Sequence, residues 1–111
     1  MTSVTIRSAD RATVSRAVEE YLACLRAKHP EIVRAFWYGS WITGRPRPGS
    51  DVDLCLILSA SDLSPRDRIP GYLPVGFPVG VDLVAYTEAE FERLRETAPS
   101  WHGTIVSGRS V

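Results

Sequence analysis

The chain has no excess of either charge: thirteen basic residues meet thirteen acidic ones across 111 positions, for a formal net charge of zero. A broad electrostatic grip on nucleic acid needs a basic excess, so nucleic acid is not indicated as a partner. Long apolar runs are missing as well. No stretch approaches the ~20 apolar residues that cross a bilayer, and residues 1–10 lack the apolar core of a secretory leader. Cysteine is scarce, and Cys24 and Cys55 show no metal-ligand spacing. In their apolar surroundings both are expected as buried free thiols, not a disulfide, which suits a cytoplasmic protein. Lysine is almost absent, since twelve of the thirteen cations are arginine. That bias suits bidentate contact with phosphate or carboxylate, and genome composition explains it equally well. Repeats and low-complexity tracts are lacking.

What is present is ordinary globular material, 44% apolar and 23% charged. It is enough for one domain, residues 1–111, around a single modest core. Val14, Val18, Tyr21, Leu22 and Leu25 make one helical stripe, capped by Ser8 or Asp10 and stopped at Pro30. Ile32–Tyr38 is branched and aromatic, as strands are. Gly39-Ser40 turns out of it into a short helical turn over residues 41–44, and residues 45–50 form a Pro/Arg/Gly loop. Residues 51–58 are the strongest strand, with an unbroken apolar run from Leu54 that predicts a central position.

Residues 59–80 hold four prolines and three glycines, which predicts mostly loop with a short helix from Pro65. Residues 81–86 are a third strand. Thr87 and Glu90 form a capping box for a helix that runs to about Glu96, with Phe91 and Leu94 inward. Pro99 ends that helix, and residues 104–106 read as an edge strand. The order predicts an α/β (α+β) fold, a small central mixed sheet flanked by helices.

The chemistry concentrates in two places. Side chains alternate along a strand, so Asp51 and Asp53 point to the same face. Two such carboxylates repel, and a shared divalent cation removes the conflict. Mg²⁺ suits the pair, being hard, oxygen-seeking and commonly held by carboxylates together with substrate phosphates. Asp82, between Val81 and Leu83, joins the cluster if its strand neighbours the first. Ten residues separate Gly39-Ser40 from the pair; Gly39 allows close backbone approach to an anion and Ser40 adds a hydroxyl at a helix start. Together these parts describe a nucleoside triphosphate held by its tail at the turn and by its reacting phosphorus at the acids. Two ions about 4 Å apart would stabilise both the attacking and the leaving oxygen.

Simpler readings exist for each part alone. A Gly-Ser pair is usually only a turn, Asp51 reads alone as a loop cap, and Asp82 has Arg34 or Arg45 as candidate ion-pair partners. Arg45 and Arg47 suit a phosphate clamp or a solvated loop. His29 and His102 border turns, as surface residues do. Phe36 and Trp37 are core residues, while Trp41 and Trp101 are the aromatics expected to be exposed, Trp41 as a partner surface or base stack.

The combined motif resembles the minimal nucleotidyltransferases (MNT) of the DNA-polymerase-beta-like superfamily. Their pattern is Gly-Ser, a spacer of nine to eleven residues, Asp-x-Asp, and a third carboxylate on a later strand. Gly39, Ser40, Gly44, Ser50, Asp51, Asp53, Leu54 and Asp82 fall on it, within a match over residues 32–86. Trp41-Ile42 and the proline-rich residues 62–80 depart from it without removing a catalytic group.

The resemblance implies that Asp51, Asp53 and Asp82 are catalytic and ligate Mg²⁺, two ions in all, with Asp82 completing the site or drawing the acceptor's proton. It implies that Gly39 and Ser40 bind the β- and γ-phosphates, and that AMP passes from ATP to a hydroxyl with pyrophosphate leaving. It further implies an antitoxin whose acceptor is a tyrosine of a partner HEPN-type ribonuclease toxin, in a homo-oligomer or a hetero-oligomer. Two rivals stand beside this: a non-catalytic antitoxin that neutralises its partner by occlusion, and a nucleotidyltransferase for a small molecule.

Overall fold

A computed structural model of the chain describes residues 10–46 and 50–111. The first helix, α1, spans Arg11–Lys28. Asp10 caps it, accepting a hydrogen bond from the Thr13 N–H at 2.7 Å, while Ser8 lies outside the described residues. Val14, Val18, Leu22 and Leu25 are its buried stripe. Cys24 falls off that stripe and is exposed, contrary to the expectation of burial, whereas Cys55 is buried.

Four strands follow: β1 (Ile32–Tyr38), β2 (Val52–Leu58), β3 (Val81–Thr87) and β4 (Arg109–Ser110). They form one mixed sheet in the order β3-β2-β1-β4. β2 pairs antiparallel with β1 and parallel with β3. Its central place explains why the run from Leu54 to Leu58 is apolar on both faces, with no residue more than 2% exposed.

Alternation sends Val52, Leu54, Leu56 and Leu58 to one face, where they meet α1, Trp37, Leu83 and Ala85. Cys55 and Ile57 go to the other face, with Phe36, Tyr38, Phe91 and Ile105. Each fully buried aliphatic side chain contributes about 1.5–3 kcal/mol, so these two layers dominate the fold's stability.

The short α2 (Ser40–Thr43) leaves β1, and α3 (Pro65–Tyr72) lies between β2 and β3. α4 (Glu88–Thr97) opens on the expected Thr87–Glu90 capping box, and α5 (Pro99–Val106) follows directly. The edge strand expected at residues 104–106 is therefore the last turn of α5. Pro99 sits in the first turn of this helix, where its missing N–H costs nothing. Ile105 is fully buried against the sheet, and that packing overrides the β preference of its branched neighbours. The edge strand is instead β4, paired to Phe36 and Trp37.

Arg68 of α3 is buried, donating to the carbonyls of Leu63 (2.9 Å) and Ala85 (3.0 Å) and, bidentately, to Glu90 (2.6 and 3.0 Å). It ties α3 to β3 and to the start of α4. Among the described residues no helix is long and apolar enough to cross a membrane.

Candidate active site

The strand register sets the site. Tyr38 of β1 lies opposite Asp53 of β2, and Asp53 lies opposite Asp82 of β3. The three form one row across three strands, with neighbours at the ~4.8 Å strand spacing. By alternation all project from the α4–α5 face, in step with Cys55 and Val84. Asp82 is thus brought beside Asp53, and Asp51 precedes the same strand by one residue.

Each acid of the Asp-x-Asp pair rests on a glycine. Gly39 has φ +88°, which a side chain rarely adopts, and a Cβ there would lie 2.1 Å from Asp53 Oδ2. A Cβ on Gly80 would lie 2.3 Å from Asp51 Oδ1. The Val52 N–H donates to the Gly80 carbonyl at 2.9 Å, holding that glycine at the start of β2. The Gly-Ser turn therefore stands directly against Asp53.

Ser40 opens α2, where the Gly39 carbonyl accepts from the N–H groups of Ile42 and Thr43, both at 3.0 Å. Among the described residues the Ser40 hydroxyl has no hydrogen-bond partner, and none of the three carboxylates has a basic one. Asp82 does not pair with Arg34 or Arg45, and Arg47 lies outside the described residues. Trp41, expected to be exposed, is 6% exposed. Its indole N–H donates to the Ser50 carbonyl at 2.9 Å and its carbonyl accepts from Arg11 at 2.5 Å. Its role is to pin the turn and the start of β2 to α1, which leaves no face for a base.

Burial first, then the charges of Asp82 and Asp51, pushes the Asp53 carboxyl up to about 6. Near neutral pH this carboxylate is the strained member of the row. Burial first, then the charges of Asp53, Cys55 and Asp82, also raises the Tyr38 phenol.

The donor set fits a divalent cation: three hard carboxylates without basic partners, two of them seated where a Cβ would stand. Among the described residues, however, no three His, Cys, Asp or Glu side chains are gathered closely enough to hold a metal ion. The expected two-ion cage is not closed in this structure.

Sequence reasoning overlooked the aromatic side of the row. Tyr38 packs edge-to-face with Trp101 of α5 at 5.6 Å, and the Trp101 indole N–H donates to the Tyr86 hydroxyl at 2.9 Å. With residues 104–106 read as a strand, nothing in the sequence brought α5 to the acids. His29 and His102 are half-buried, His29 beside Glu31 at 3.2 Å and His102 against the Phe91 ring.

The family model of the nucleotidyltransferase domain matches residues 18–103, and the chain belongs to that family. Domains of this kind use a nucleoside triphosphate and a divalent metal. Among solved structures the chain is similar to a Sulfolobus solfataricus protein, assigned as a nucleotidyltransferase and determined at 1.40 Å resolution. Identity is 17%, the TM-score is 0.60, and 75% of each chain is covered, a likeness that shows a common fold. No curated protein matches the chain.

Proposed function

We propose that this nucleotidyltransferase is of the minimal type and moves AMP from ATP to a hydroxyl on a partner protein. The observation that carries the reading is the seat of the Asp53 carboxylate on Gly39, in register with Asp82. It sets the Gly39-Ser40 turn, which would bind the phosphates, against Asp53, which would act at the α-phosphorus. The acceptor oxygen would attack that phosphorus in line, the bond to the β-phosphate's bridging oxygen would break, and pyrophosphate would leave.

The Gly39 backbone and the Ser40 hydroxyl would hold the β- and γ-phosphates. Asp82, the exposed acid of the row, has room to take the acceptor's proton or to complete the metal site. Asp51, Asp53 and Asp82 would have to draw together from their positions here to hold Mg²⁺, which would supply charge neutralisation on the phosphates and the leaving pyrophosphate. Such a reaction needs mainly positioning and charge neutralisation, which a small scaffold supplies.

The motif resemblance supports an antitoxin role, with a tyrosine of a HEPN-type toxin as acceptor. The open arrangement of the acids favours a second reading, neutralisation of the partner by occlusion. Incubation with labelled ATP, Mg²⁺ and the candidate partner separates the two. Label on the partner with the intact chain and none with Asp53→Ala supports transfer. Neutralisation by both proteins without label supports occlusion.

A further inference from the structure

The acid row does not end at Asp53. Its next member toward the sheet centre is Tyr38, opposite Asp53 on β1. Tyr38 carries the Trp101 ring edge-to-face at 5.6 Å, and Trp101 is anchored through its N–H to Tyr86, four positions beyond Asp82 on β3. The indole of α5 is therefore held by a ring contact and by its N–H, at the Tyr38 end of the row. It is half-buried, where Trp37 and Trp41 are buried. A ring so held loses little side-chain freedom on binding, which favours stacking.

We propose that Trp101, positioned by Tyr38 and Tyr86, is the platform on which the base of the donor nucleotide stacks. The inference rests on the nucleotidyl-transfer reading and adds to it the place of the base. With the triphosphate tail at Gly39-Ser40 and the α-phosphorus at the acids, ribose and base extend beyond the acid row. On the α5 side the described wall is aromatic: Tyr38, Trp101 and Tyr86. A stacked contact reads a flat π-face and not a hydrogen-bond pattern. Selection between purines would then be weak, and a triphosphate without a base would lose the contact altogether.

Binding of Mg-ATP and of Mg-tripolyphosphate, measured by calorimetry and by intrinsic fluorescence, tests the platform. Tripolyphosphate shares the tail and lacks the base. With wild-type protein, ATP is expected to quench fluorescence and tripolyphosphate to leave it unchanged. In Trp101→Ala, ATP affinity falls about tenfold, equal to about 1.4 kcal/mol, while tripolyphosphate affinity holds. Trp101→Phe keeps a ring against Tyr38, so it retains the fold and most of the ATP affinity but loses the quench.

Equal affinities of wild-type and Trp101→Ala for ATP overturn the platform and leave the transfer reading standing. A parallel loss of ATP and tripolyphosphate also overturns it, because the residue then acts on the tail or the fold. Failure of wild-type protein to bind either ligand overturns both.

Discussion

Gly39 and Asp53 occupy each other's space: the carboxylate oxygen of one stands 2.1 Å from where a β-carbon of the other would be. A substitution in the turn thereby becomes a substitution at the acids. Gly39→Ala forces a methyl group into a positive-φ, extended-ψ backbone that essentially only glycine adopts, at a cost of about 1–3 kcal/mol, and pushes Asp53 out of the row. Displacement of about 1 Å is enough for a 100-fold loss of rate. Nucleotidyl transfer, measured as pyrophosphate release with acceptor present, should fall at least about 100-fold while the variant remains folded by circular dichroism.

Asp53→Asn should separate stability from activity. The folded-state pKa of Asp53 stands near 6, above its ordinary value of 3.8. The native state thus holds its proton more tightly than the unfolded chain does. As pH rises from about 4 through 6 the carboxyl ionises against burial and Asp82, and the fold loses stability. The amide removes that penalty. In metal-free protein at pH 7.5 the variant should gain on the order of 1 kcal/mol, a Tm rise of about 4 °C. At pH 4 the gain should vanish. Transfer activity should be abolished at every pH, and a stability gain over wild type that is the same at both pH values would contradict the assigned strain.

The Arg68–Glu90 pair has the opposite sign. Hydrogen bonding to Arg68 first, and the Thr87 N–H and the guanidinium charge after it, holds the Glu90 carboxyl down at about 2, against an ordinary 4.5. Its contribution is complete above about pH 4.5 and is lost as pH falls toward 2. The difference in unfolding free energy between wild type and Glu90→Gln should shrink over that interval in urea titrations. Arg68→Met strands the Leu63 and Ala85 carbonyls and leaves Glu90 unpaired. It should cost about 2–3 kcal/mol at neutral pH, and no measurable loss would show that the ion pair is idle.

The parts of the fold carried by periodicity could be read from the chain alone. The α1 stripe, the double-faced burial of β2 and the Thr87–Glu90 box are all local patterns, and each stands where it was expected. Asp53 and Asp82 were nameable because their spacing and strand context are also local, though their register depended on β3 lying parallel beside β2.

What could not be read depends on distant partners. Arg68 is buried because of groups 17 and 22 positions away. Trp41 is buried because Arg11 and Ser50 hold it. Residues 104–106 look like a strand, but one face of α5 is covered by the sheet, and that decided for helix. Missing α5 hid the aromatic wall beside the acids.

Diffraction from crystals grown with Mn²⁺ and a non-hydrolysable ATP analogue, with anomalous scattering to place the metal, tests the joining of turn and acids most directly. The predicted result is manganese bound by Asp51, Asp53 and Asp82, with the β- and γ-phosphates at Gly39 and Ser40. Metal and phosphates away from Asp53, or a nucleotide held with none of the three acids in contact, would contradict it.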